Sequence, residues 1–178
     1  ELYLEYHRGT YTTQARTKKG NRMLEQSLRE TEYILSLGRP EDYPIDRLDD
    51  IWKKLLINQF HDILPGSSIR WVYEVTEREH AEAQKTCARI KTEAADQILS
   101  PDDGALVVIN TLNIPFTREI KLPVDWQGGL ADDAGNDLAV QKDRDGSLIT
   151  QFQLAPQAIT TLRRVGNVAL AQPGKSLV

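Results

Sequence analysis

Apolar residues recur at spacings of three and four through the first hundred positions and then give way to short alternating runs. Each stretch predicts a different element. From about Ala15 to Leu37 the positions Met23, Leu24, Leu28, Ile34, Leu35 and Leu37, with a less regular Tyr33, predict a first helix, broken by Gly38-Arg39-Pro40 and Tyr43-Pro44. Leu48, Ile51, Trp52, Leu55, Leu56, Phe60 and Ile63 predict a second helix, from Asp46 as N-cap through Leu64, with Pro65-Gly66 as the stop. A third is expected from near Ile69 to about Leu99, with Val72, Val75, Ala83, Cys87, Ile90, Ala94 and Ile98 on its apolar stripe. Three such helices on short loops predict an antiparallel bundle.

After Asp102-Asp103-Gly104 the period changes, and Ala105-Leu106-Val107-Val108-Ile109 reads as a buried strand. Further strands are expected at about 117–122, 138–143, 147–153 and 159–164, with Asp145-Gly146 as a hairpin-type turn. Pro115, Pro123 and Pro156 fall at strand edges or in loops, where a missing amide donor does no harm. The opening Glu1-Leu2-Tyr3-Leu4-Glu5-Tyr6-His7 also alternates, with residues 1, 3, 5 and 7 on one strand face. The fold class expected is α+β, a three-helix antiparallel bundle followed by an incomplete antiparallel β-sandwich-like domain. The sequence begins in mid-strand on Glu rather than Met and ends on no turn or cap signal, so a cut fragment is expected.

With 178 residues, of which 40% are hydrophobic, the chain can bury one good core or two small ones. A net charge of −4 and no cluster of Lys and Arg among aromatics argue against nucleic acid as a partner. No apolar run approaches the ~20 residues of a membrane span, so no membrane partner is expected. The lone Cys87 cannot form an internal disulfide, which agrees with a reducing compartment.

The stretch that carries chemistry is Asn58-Gln59-Phe60-His61-Asp62-Ile63-Leu64-Pro65-Gly66-Ser67-Ser68. Placed in the last turn of the second helix, His61 and Asp62 point about 100° apart, which suits an imidazole ligating zinc and a carboxylate meeting a substrate hydroxyl. The plainer reading is a histidine favoured there by the helix dipole. A zinc site needs three or four protein ligands, and neither His7, His80 nor Cys87 stands at ligand spacing from His61. Any remaining ligands must come from elsewhere. His80, within Glu77-Arg78-Glu79-His80, reads as part of a solvated face, and Cys87 as an inert core thiol. Trp52 and Trp71 offer either a sugar platform or bundle core, with core favoured for Trp52. Trp126, beside Gly128-Gly129, is expected in a β-domain loop.

With these motifs in view the chain resembles the family-38 glycoside hydrolases, the zinc-dependent α-mannosidases. Residues Glu1 to Gln14 resemble the end of that family's catalytic α/β barrel, Asn58 to Ser68 its middle-domain signature, and Ala105 to Leu112 the entry to its C-terminal β region. The resemblance implies domains at 1–14, 15–101 and 102–178. It implies that His61 is one of four zinc ligands and that Asp62, with Arg8 and Tyr11, meets the mannose. It further implies a retaining mechanism with a carboxylate nucleophile in a barrel preceding Glu1. Glu1 and Glu5 share a strand face and are candidates for the acid/base; the competing reading pairs Glu5 with Arg8 or Arg16. An Arg8-Gly9-Thr10 turn equally suits a simple anchor between barrel and bundle.

The implied partners are an α-mannoside and the N-terminal barrel of the same polypeptide, with homo-oligomerisation left open and a cytoplasmic location expected. The fragment alone is expected to be inactive. The competing function is a helical and β carbohydrate-binding or interaction module whose His-Asp turn has no metal role.

Overall fold

The computed structural model describes residues 9–99 and 104–166. The expected opening strand, with Glu1, Glu5, His7 and Arg8, lies outside the described residues, as do Asp102, Asp103 and residues 167–178. The chain is α+β and divides between Ile98 and Leu99 into two compact units. The first holds helices α1 (Ala15–Leu35), α2 (Ile45–Asn58) and α3 (Arg70–Ile98).

Side-chain pairs along the helices give their directions. Arg16 meets Glu77 at 3.5 Å and Lys91 meets Glu30 at 2.9 Å, so α1 and α3 run parallel. Arg47 meets Glu93 at 3.2 Å while Asn58 reaches Glu79 at 2.8 Å, so α2 runs against both. Consecutive helices are antiparallel in an up-down-up bundle.

Each helix buries one seam with alternating spacings of three and four, the pattern that lets side chains interdigitate along a small crossing angle. The buried positions are Thr17, Asn21, Leu24, Leu28, Thr31 and Leu35 on α1, and Leu48, Ile51, Leu55 and Asn58 on α2. On α3 they are Tyr73, Thr76, His80, Ala83, Cys87, Ile90 and Ala94. Leu24, Leu28, Leu55 and Ile90 are almost wholly sealed, and each such side chain contributes about 1.5–3 kcal/mol. The seam is not apolar throughout. At the end where α1 and α3 begin and α2 stops, it is occupied by Thr17, Asn21, Asn58, Thr76 and His80.

Four expectations are corrected here. The second helix ends at Asn58 rather than Leu64: the Asn58 amide turns back to the Lys54 carbonyl at 2.9 Å, and Gln59 leaves the helical region at φ −85°, ψ 2°. Its N-cap is Pro44, with Asp46 inside the first turn, where an acid complements the helix dipole. His80 is buried rather than solvated, at 3% exposure, because it continues the Tyr73-Thr76 seam; Val72 and Val75, expected on that stripe, are only half-buried.

The second unit is all antiparallel strand: β1 (Ala105–Ile109), β2 (Phe116–Lys121), β3 (Gly129–Ala131), β4 (Asp137–Leu138), β5 (Val140–Lys142), β6 (Leu148–Leu154) and β7 (Ile159–Val165). One sheet has the order β1-β7-β3-β4 and the other β2-β6-β5. The strand expected at 138–143 is split at Ala139, where the chain passes from one sheet to the other, and β3 was not anticipated. Leu106, Val108, Leu130, Leu138 and Leu162 of the first sheet pack with Val140, Leu148 and Phe152 of the second. Trp126 is core, 6% exposed, with the Arg164 guanidinium 4.7 Å from its ring centroid.

Gly20 faces His80 so closely that an added Cβ would stand 2.6 Å from its Nδ1. Gly20→Ala should therefore lower the urea midpoint of the bundle, read by helical circular dichroism. Overpacking of about 1–3 kcal/mol outweighs the roughly 1 kcal/mol that alanine adds in helix propensity. A raised midpoint would show that the ring yields.

Candidate functional site

The polar end of the bundle carries the His61 turn. Asn58, 2% exposed, donates to Lys54 O and to Glu79 Oε2 and accepts from the Thr76 hydroxyl at 2.7 Å. Gln59 donates to Glu25 of α1 at 2.9 Å, so both neighbouring helices grip the point where α2 stops. The chain then folds into a hydrogen-bonded turn, with Ile63 N and Leu64 N both donating to Phe60 O at 2.9 and 3.0 Å. His61 and Asp62 are thus on a turn and not on a helix, which corrects the placement expected from periodicity.

The backbone of that turn is fixed. The Asp62 carbonyl accepts from the Ser68 hydroxyl at 2.5 Å, and Ser68 N donates to the buried Tyr73 hydroxyl at 2.8 Å. Lys18 Nζ donates to Leu64 O at 2.9 Å and to Thr13 O at 2.6 Å, stitching the turn to the segment that enters α1. Burial pulls the Lys18 pKa below its ordinary value. Gly66, at φ +99°, lies against Thr13, whose Cγ2 occupies the space a Cβ would need. Opposite it Gln14 holds a left-handed conformation, φ 50°, without a side-chain cap. A strained residue, Gln14, and a glycine free to take positive φ, Gly66, meet where two segments must touch.

The side chains, in contrast, face outward. His61 is 78% and Asp62 57% exposed, with Nε2 3.6 Å from Asp62 Oδ2, beyond hydrogen-bond reach. The Phe60 ring lies 4.1 Å from the imidazole, tilted by 47°. Tyr11, 81% exposed, stands on the Gly9–Thr13 turn that Lys18 joins to Leu64. Arg8 lies outside the described residues. Around the turn Leu56, Ile57, Phe60, Ile69 and Trp71 are all at least half exposed. Trp71 is therefore not core, whereas Trp52 is half-buried against the seam and donates to Glu32 at 3.0 Å.

Among the described residues no three His, Cys, Asp or Glu side chains come together in a way that could hold a metal ion. His61 fits the part of a single imidazole donor and no more. Cys87 is sealed in the bundle, and burial raises its thiol pKa, which leaves it inert.

A profile of the alpha mannosidase middle domain matches residues 5–98. The chain belongs to that family. Among curated relatives of this middle domain, Alpha-mannosidase 2C1 of Mus musculus is 38% identical over 129 residues, 69% of this chain and 12% of that protein. Alpha-mannosidase G of Dictyostelium discoideum is 41% identical over 119 residues, 66% of this chain and 10% of the relative. The chain thus spans about a tenth of the length of these relatives. An alpha-mannosidase from Enterococcus faecalis V583 superposes with a TM-score of 0.64 at 17% identity, covering 92% of this chain and 25% of that one. A protein in the glycosyl hydrolase family 38 from the same species gives 0.62 with the same identity and 92% coverage. The fold is that of family-38 proteins in both of its units.

Sequence reasoning singled out His61 and Asp62 as one motif and missed what holds their turn. Asn58 was visible as the first residue of the motif, and Gly66 as a Pro-Gly stop. Lys18 and Tyr73 gave no signal, since a helix-start lysine and a helical tyrosine are unremarkable until their tertiary partners are known. Tyr73→Phe should leave the part-buried Ser68 amide without its acceptor at a cost of about 1 kcal/mol. Amide exchange at Ser68 and across 60–68 should accelerate while the α3 core stays protected; unchanged exchange would refute the clamp.

Proposed function

We propose that this middle domain belongs to a zinc-dependent, retaining α-mannosidase, in which His61 gives one imidazole to the metal and Asp62 meets mannose hydroxyls. The observation that carries the reading is a histidine and an acid held outward on a turn whose backbone is pinned from three directions. A binding group needs its position fixed by something other than the ligand, and here the Asp62 carbonyl and the Leu64 carbonyl are fixed without using either side chain. Phe60 lies against the ring. Zinc, when bound, would accept sugar hydroxyls and favour the distorted ring of an oxocarbenium-like transition state.

Arg8 and Tyr11 are assigned to the substrate side, because the Gly9–Thr13 turn is tied by Lys18 to the same turn as His61. The nucleophile, the acid/base and the other zinc ligands are assigned to a catalytic barrel of the same polypeptide. The exposed Leu56, Ile57, Phe60, Ile69 and Trp71 support such a partner, since large apolar side chains gathered around a polar turn mark a surface that becomes covered. The domain limits 1–14, 15–101 and 102–178 go with this assignment. A cytoplasmic location is part of the same proposal, supported by the unpaired Cys87; among the described residues no helix is long and apolar enough to cross a membrane.

In the longer polypeptide that carries this domain, His61→Ala should lower activity on an α-mannoside at least about a hundredfold and release zinc. Folding should be little affected, within about 0.5 kcal/mol, because the ring is exposed. Asp62→Asn should keep the metal and lose kcat/KM. Zinc stoichiometry and turnover unchanged in His61→Ala would favour a non-catalytic carbohydrate-binding or interaction module instead. The present chain alone should show no tight one-to-one zinc complex by calorimetry.

A further inference from the structure

The polar end of the bundle holds a second histidine with a different character. His80 is 3% exposed, and neither ring nitrogen has a hydrogen-bond partner. Thr17 Oγ1 and Asn21 Oδ1, on the α1 positions flanking Gly20, are likewise sealed and unpartnered. Gly20 itself lets the ring lie against the α1 backbone. The neutral ring leaves one donor and one acceptor unmet; the protonated ring would bury two donors and a full charge.

The charged groups around it do not compensate. Arg16 and Lys19 of α1 line the small cavity beside the ring together with Glu77 of α3. Glu77 pairs with Arg16, and Glu79 takes the amide of Asn58, the neutral residue that α2 brings to this level. Burial holds the His80 pKa below the ordinary histidine value, with the Glu79 charge a smaller opposing influence.

We propose that His80 is an acid-released latch between α1 and α3, closed while the ring is neutral and opened by its protonation. The latch lies next to the site clamp. Thr76, one turn before His80 on the same seam, is the residue that donates to Asn58, so separation of α1 and α3 at this level loosens the joint from which the His61 turn departs. The inference concerns the bundle and stands whether or not His61 binds metal.

The sign follows from linkage. An unfolded histidine titrates near about 6.5, and the folded ring lower, so between those values the unfolded chain holds more protons and stability rises with pH. The contribution is complete above about 6.5 and is lost as pH falls toward the folded value.

The test is urea unfolding of the chain at pH 7.5 and 5.5, followed by helical circular dichroism, beside an NMR titration of the His80 ring. Between these pH values the unfolding equilibrium constant should rise by up to about tenfold. In His80→Gln, neutral throughout, that His80-dependent rise should disappear. An equal rise in His80→Gln, or a His80 ring that titrates in the folded chain at the ordinary value, overturns the latch. Should His80→Gln fail to fold, the ring titration in the unsubstituted chain decides alone.

Discussion

The structure around the candidate site depends on how α2 stops. A helix end leaves four carbonyls without intrahelical partners, and one buried between two other helices must find them partners from nearby. Main-chain amides meet most of those carbonyls, Gln59 N donating to Leu55 O and Leu56 O and Phe60 N to Ile57 O, and Asn58 fixes the end from a seam position. Its amide serves Lys54 of its own helix and Glu79 of α3, and its oxygen takes Thr76, so one side chain ends α2, seals the bundle end and joins two helices. An apolar residue there would bury as well and fix nothing. Because the three bonds have directions, the chain leaves α2 at one angle, and the His61 turn inherits it.

The same device recurs in the β unit. Asn110, 4% exposed, donates to Ile114 O at 2.9 Å and Ala155 O at 2.8 Å and accepts from Leu112 N at 3.0 Å, holding the β1–β2 connection against the β6–β7 turn. In both units a buried amide organises a loop that apolar packing alone would leave unspecified.

The bundle and the strands were legible because periodicity reports burial, and most buried positions here are apolar. Legibility failed where the seam turned polar. Thr17, Asn21, Thr76 and His80 keep the three-four spacing as faithfully as Leu24 or Ile90, but a search for hydrophobic residues passes over them and reads Val72 and Val75 instead. The end of α2 failed for the converse reason. Phe60 and Ile63 continue the apolar rhythm beyond Asn58, yet they lie on a turn, and Phe60 is half exposed. Periodicity gives the phase of a helix and carries no information on whether its hydrogen bonds continue. The motif itself was legible by resemblance. Its clamp was not, because Lys18 and Leu64 are 46 positions apart and nothing local couples them.

The two histidines in the described bundle show what burial does to the same side chain. Local sequence puts His80 among charges and His61 among hydrophobes, yet the fold buries the first and exposes the second. His61, beside Phe60, Ile63 and Leu64, faces solvent because its turn is held by main-chain carbonyls and leaves the ring no interior to enter. His80, between Glu79 and Ala81, is driven inward because the seam leaves no other residue at its level to fill the space over Gly20. An exposed imidazole on a fixed backbone contributes almost nothing to folding. A buried one without partners contributes through packing and is exposed to acid. The same bundle thus carries one imidazole on its surface and one sealed in its polar seam, and the Asn58–Thr76 hydrogen bond joins the elements that hold them.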